Sequence, residues 1–198
     1  MIAGGWLLEH EGYVSDLLLQ LGSAFLLAAP IVYLERVLSG VRHELDELRR
    51  QTAAVSSTYE QIRVDEPSGP KREAKLNRLM RELRAEARSG KHSPKDVAEL
   101  FAGGSRGERI TALGLMQGNH ALVSVDAIAD GIRNSRSAFE QYAALRLAGD
   151  VWEALGGDER DRVAEAVNVA MGASGYIHPG TDRYPLARAI QRAHDQAE

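Results

Sequence analysis

The stretch from Leu17 to Leu34 contains no charged side chain and runs without a break into a heptad series. Leu34 is followed by Leu38, Val41, Leu45, Leu48, Thr52, Val55, Tyr59 and Ile62, spaced alternately four and three. Eighteen helical residues rise about 27 Å, close to the roughly 30 Å hydrocarbon core of a bilayer. A 4-3 apolar repeat over about four heptads makes a seam that a second helix can fill. The two features together predict one helical rod, a single-pass transmembrane helix over 17–34 that continues as a coiled coil over 35–64.

Within the span, Pro30 removes one backbone hydrogen bond, and Tyr33 falls where interfacial aromatics sit. The leading tail, residues 1–16, carries Glu9, Glu11 and Asp16 and no Lys or Arg, unlike the basic start of a signal peptide. Arg36, Arg42, Arg49 and Arg50 follow the span, so the expected location is the cell membrane, with the N-terminus outside and the C-terminal domain cytoplasmic. A parallel homo-oligomer would form through Leu38, Val41, Leu45, Leu48 and Val55. The rival reading lays this helix against the domain of its own chain.

Net charge is −4, but its distribution says more than its sum. Residues 71–91 hold 8 basic and 3 acidic side chains, between two acidic flanks. The basic helix predicted over 71–90 offers Lys71, Arg72, Lys75, Arg78, Arg81 and Arg84 to an anionic lipid surface or nucleic acid. The plainer reading is a solvated face with pairs such as Arg78 and Glu82. Before it, Asp65 to Pro70 holds two prolines and a glycine and reads as a linker.

From residue 91 to 198 the punctuation is helical. Serines 93, 105, 124 and 135 or 137 stand as caps, Asp158 caps a further helix, and glycine pairs at 103–104 and 156–157 close helices. Leu186, Ile190 and Ala193 mark a last one. No run shows the period-2 alternation of a strand, so the expected class is all-α, with a C-terminal multi-helix domain stacked in HEAT-like fashion.

Gly-Glu-Arg-Ile at 107–110, Ala-Leu at 112–113, Ser-Arg-Ser-Ala-Phe-Glu-Gln-Tyr at 135–142 and Ala-Leu at 144–145 carry a more particular likeness. The stretch from Phe101 to Leu155 resembles a helical module of actinobacterial multidomain signalling proteins, where it sits beside signalling or effector domains. That resemblance implies an adaptor role and carries over no chemistry.

Chemistry is sparse otherwise. Cysteine is absent, which excludes disulfides, thiolate metal sites and a Cys nucleophile. The six histidines, at 10, 43, 92, 120, 178 and 194, have no metal-ligand spacing. Gly103 to Gly107 lacks the Lys of a P-loop and reads as a helix–helix turn, and no serine-nucleophile elbow is expected. No cofactor, metal or catalytic residue is expected. Two places remain for a protein partner: Arg133 and Arg136 before Phe139 and Tyr142, and the loop bearing Tyr176, His178, Arg183 and Tyr184. The expected function is a membrane-anchored, non-catalytic scaffold or adaptor. Anionic-lipid or nucleic-acid binding is the alternative, and a small enzyme the second.

Overall fold

The structure, a computed structural model, describes residues 50, 52–172 and 175–197. The chain divides into two compact units, residues 1–50 and 51–198. The tail, the expected membrane span at 17–34 and the seam residues Leu38, Val41, Leu45 and Leu48 lie outside the described residues. Among the described residues no helix is long and apolar enough to cross a membrane.

The second unit is all-helical, with no strand among the described residues. α1 covers residues 52–65. It is followed by α2 (Pro70–Ala87), α3 (Pro94–Gly103), α4 (Arg106–Gly118), α5 (Val125–Arg133), α6 (Ala138–Val151), α7 (Gly157–Met171) and α8 (Arg183–Asp195). Short 3₁₀ turns lie at His120–Leu122 and Trp152–Ala154.

The starts follow the caps. Oγ of Ser93, Ser105, Ser124 and Ser137 each accepts from the backbone three residues on, satisfying a donor that the first turn would leave orphaned. At Ser105 the Glu108 carboxylate reciprocates by accepting from Ser105 N at 2.6 Å, a full capping box. α7 departs from expectation, since Gly156 rather than Asp158 is its cap, with Glu159 accepting from Gly156 N at 2.9 Å. α6 also stops short of Gly156. Trp152 is buried at the foot of the helix, and the chain tightens there so that its carbonyl accepts from Leu155 N and from Arg160 Nε.

Packing alternates along the chain. α2 packs on α4, α4 on α6 and α6 on α8, while α3 meets α5 and α5 packs on α7. Even-numbered helices therefore form one layer and odd-numbered helices the other. Between them Ile110, Leu113, Met116, Ile128, Ile132, Leu145, Leu147, Val163 and Val167 are fully buried, with Ala112, Ala144 and Ala148 letting the layers approach.

α1 docks on this body. Tyr59 is 1% exposed, and Val55 and Ile62 pack against the same core. Tyr59 Oη lies 3.2 Å from Ser137 Oγ, and Ser56 Oγ lies 3.1 Å from Ser105 Oγ, so α1 is tied to the starts of α4 and α6. The Ser56-Ser57-Thr58 run does not break the helix, because Ser57 and Thr58 donate back to the Ala54 carbonyl at 2.8 Å. Val55, expected in a seam between copies, is thus packed within its own chain.

The crossing is close. A methyl group at Gly107 would overlap the Ser56 backbone, lying 2.8 Å from its Cα. Gly107→Ala is expected to cost about 1–3 kcal/mol by overpacking. Urea unfolding measures the loss, and faster amide exchange confined first to 52–65 shows that α1 is the element displaced.

Candidate functional site

The turn between α1 and α2, expected as a flexible linker, is a clasp. Glu66 N donates to the Ile62 carbonyl at 3.1 Å, and the Glu66 side chain, 10% exposed, takes both Lys71 at 3.2 Å and Lys75. Arg72 donates to the Glu66 carbonyl and to Ser68 Oγ. The hydrogen bonds from Lys75 and then Lys71 hold the Glu66 carboxyl below its ordinary value of 4.5. A depressed carboxyl stabilises the fold above its unfolded pKa, and that contribution disappears as pH falls through the folded value. Glu66→Gln is therefore expected to lower the melting temperature at about pH 7, with the deficit shrinking as pH falls through the folded value of Glu66. Paired thermal scans across this pH range check this.

Lys71, Lys75 and Arg78 thus have carboxylates of their own, Arg78 through Glu82 at 3.0 Å. The rest of the basic set does not. Arg72, Arg81 and Arg84 line a groove of about 670 Å³ between α2 and α6, floored by Tyr59 and Leu76. Arg63 of α1 and Arg146 of α6 join them, with Phe139 and Tyr142 beside Arg146. None of these five arginines has a carboxylate within ion-pair distance among the described residues. Their hydrogen bonds go to neutral groups. Arg63 Nη1 donates to Tyr59 Oη at 3.3 Å and its guanidinium lies 5.7 Å over the Tyr59 ring, while Arg84 Nη1 donates to Gln117 Oε1 at 3.4 Å. Burial first, then the nearby charges of Arg146 and Arg81, pull the Arg84 pKa below its ordinary value. The guanidinium stays charged, so the groove carries a net positive field, with five arginines against Glu73 and Asp182 in its lining. Glu73 and Asp182 also line it, at intervals between the cations.

The expected protein-partner residues lie elsewhere, and Arg136, Arg183 and Tyr184 among them have structural duties. Arg136 Nη1 donates to the Gly104 carbonyl and Arg183 Nη1 to Gln141 Oε1 at 2.8 Å, and Gln141 in turn donates to the Ile132 carbonyl at 2.7 Å. Tyr184 packs against the core. Ile177 pins the loop before α8, buried and donating to the Ala170 carbonyl at 3.1 Å. Thr181 closes that loop on the His178 carbonyl, so Tyr176 stands out at 69% exposure and His178 is exposed beside it. Arg133, at the end of α5, is exposed.

Two further arrangements decide what chemistry is possible. Residues 103–107 do spell Gly-x-Ser-x-Gly, contrary to the expectation of no elbow. Ser105 follows a helix rather than a strand, however, and its Oγ caps α4 and meets Ser56 Oγ, the duties of a helix cap rather than of a strand-borne elbow. His194 pairs with Asp161 at 2.9 Å and abuts Trp152 edge-on. No group of acidic and histidine side chains among the described residues could hold a metal ion.

Phe139 and Tyr142, expected beside a partner site at Arg133 and Arg136, line the groove instead, with Tyr59, Arg63 and Arg146, for which the sequence carries no site expectation. Phe139, Tyr142 and Arg146 recur at helical spacing, which is a visible signal for one face of α6. That this face meets the α2 arginines depends on the layer order. No family model, curated protein or solved structure matches the chain.

Proposed function

We propose that the chain is a membrane-anchored helical adaptor whose groove between α2 and α6 receives an acidic segment of a protein partner. The observation that carries this reading is the set of five groove arginines without carboxylates. An extended acidic chain would supply them, since guanidinium pairs bidentately with carboxylate and stacks on aromatic rings. The two-layer order of helix pairs supports a HEAT-like stack, an architecture suited to holding a partner chain on one face. The apolar segment 17–34 supports the anchor, and Arg36 to Arg50 support a cytoplasmic domain.

Anionic lipid is the second reading, motivated by the same basic helix. The groove favours a chain instead, because its arginines come from α1, α2 and α6 and line a concave groove rather than a flat face. A nucleic-acid phosphate track is disfavoured because the chain as a whole is acidic, at −4.

A photocrosslinking side chain at Asn77, on the groove wall, tests the proposal in membranes. Capture of acidic protein segments, lost when Arg81, Arg84 and Arg146 are changed to Glu, is the expected result. Capture of lipid or nucleic acid instead, or capture that survives the three reversals, would overturn it.

A further inference from the structure

On another face, independent of the arginine groove, a cleft of about 250 Å³ lies among α1, α2, α4 and His92 in the turn after α2. Val55, Leu79, Leu83 and Leu115 make its walls apolar. Thr52, Glu82, Thr111, Glu86 and His92 interrupt them, and the last two carry unpartnered atoms. The His92 side chain is 10% exposed, and its Nε2 and the Oε1 of Glu86 are both buried without a hydrogen-bond partner. They stand 3.9 Å apart, too far to bond each other directly. Buried polar groups normally find a partner, because water has been taken from them and nothing has replaced it.

A hydroxyl oxygen that parts them can donate to Glu86 Oε1 and accept from the Nε2–H of His92, once the partly exposed Glu86 side chain turns to admit it. Burial pulls the His92 pKa below its ordinary value, which keeps the ring neutral and leaves one N–H to donate. A single water fills only about 30 Å³, far less than the cleft's roughly 250 Å³. Apolar cavities of about 150 Å³ admit a benzene ring, so this one has room for a ring and its substituent.

We propose that this cleft binds a small phenol-like molecule, its apolar body against Val55, Leu83 and Leu115 and its hydroxyl bridging His92 Nε2 and Glu86 Oε1. The test uses the full-length chain labelled with ¹⁵N-histidine in detergent micelles, titrated with p-cresol and, in parallel, with toluene. Expected is a saturable shift of the His92 ring nitrogens alone, with p-cresol binding roughly tenfold more tightly than toluene because only it can bond a charged acceptor. Glu86→Leu, at a partly exposed side chain, should bring p-cresol down to the affinity of toluene, with the other histidine signals unmoved as evidence of an intact fold. Val55→Phe should fill the cleft and weaken both. A p-cresol shift that stays linear and shared by all histidines, equal affinity for the two probes, or no shift, as for a bridging water only, would overturn the proposal.

Discussion

Arg109→Met is expected to destabilise the domain by roughly 3–5 kcal/mol, the scale for breaking a buried ion pair from one side. Arg109 is 3% exposed and Glu140 is wholly buried. Nε of Arg109 donates to Glu140 Oε1 at 2.7 Å, Nη2 lies 2.7 Å from the same oxygen, and Nη1 donates to Asp130 Oδ2 at 2.7 Å. The guanidinium also stacks 3.9 Å over the Phe101 ring. One side chain of α4 therefore joins α3, α5 and α6. Methionine would keep much of the packing volume and leave Glu140 held only by the backbone N–H of Arg136 at 3.1 Å, a charge without a counterion in the core. Removing both charges, as Arg109→Met with Glu140→Met, should cost less than Arg109→Met alone, because replacing a buried pair by apolar groups is often near neutral. Urea unfolding of the two single variants and the double variant gives the coupling directly. Additive losses would show that the pair does not act as one unit.

Asp130 adds an acid limit to the same network. Burial pushes its carboxyl up, but hydrogen bonds from Asn134 and Arg109 outweigh burial and hold it below its ordinary value. Its contribution is therefore present above the unfolded pKa and is lost as pH falls through the folded value.

Reversing Arg81, Arg84 and Arg146 to Glu together is expected to weaken binding of an acidic peptide by at least about 100-fold. Like charge would then face the ligand from both walls, and each such juxtaposition is costly. Arg84→Ala alone should cost about tenfold, more than Arg81→Ala, because burial leaves Arg84 less screened by solvent. Raising salt should weaken the wild-type complex steadily, as it does for partly exposed charge pairs. Arg78→Glu with Lys91→Glu is a control away from the groove, reversing two charges rather than three. Both side chains are exposed and neither lines the groove, so their reversal should change affinity less than about threefold, as rim charges do. Isothermal titration of the purified chain with a glutamate-rich peptide separates these cases, and equal losses from groove and control variants would reduce the effect to net charge.

Much of the fold was legible because the chain writes its helix starts in serine. Ser93, Ser105, Ser124 and Ser137 each cap as their positions imply, and the apolar spacing places Ile110, Leu113, Ile128 and Leu145 in the core. The failures are equally physical. Val55, Tyr59 and Ile62 continue the 4-3 series of the preceding rod, and periodicity reports only that a face is buried, not which surface buries it. Their partner is their own domain, chosen by the close approach that Gly107 permits.

The site divides the same way. The basic helix was visible as composition, and half of its cations proved to have carboxylates, because Glu66 from the preceding turn and Glu82 one helical turn on reach Lys71, Lys75 and Arg78. Which arginines remained could not be read without knowing where Glu66 folds. Arg146 was invisible as a site residue because its role comes from α6 lying across from α2. The membrane segment and the seam from Leu34 to Leu48 rest on sequence alone.

The most direct measurement is an NMR titration of the arginine Nε–Hε groups of the chain with a peptide of about ten glutamates. Saturable shifts of Arg63, Arg81, Arg84 and Arg146, with Arg78 unmoved, are what an acidic-segment groove requires. Shifts that spread evenly over all exposed arginines, Arg78 included, or that never saturate, would contradict it.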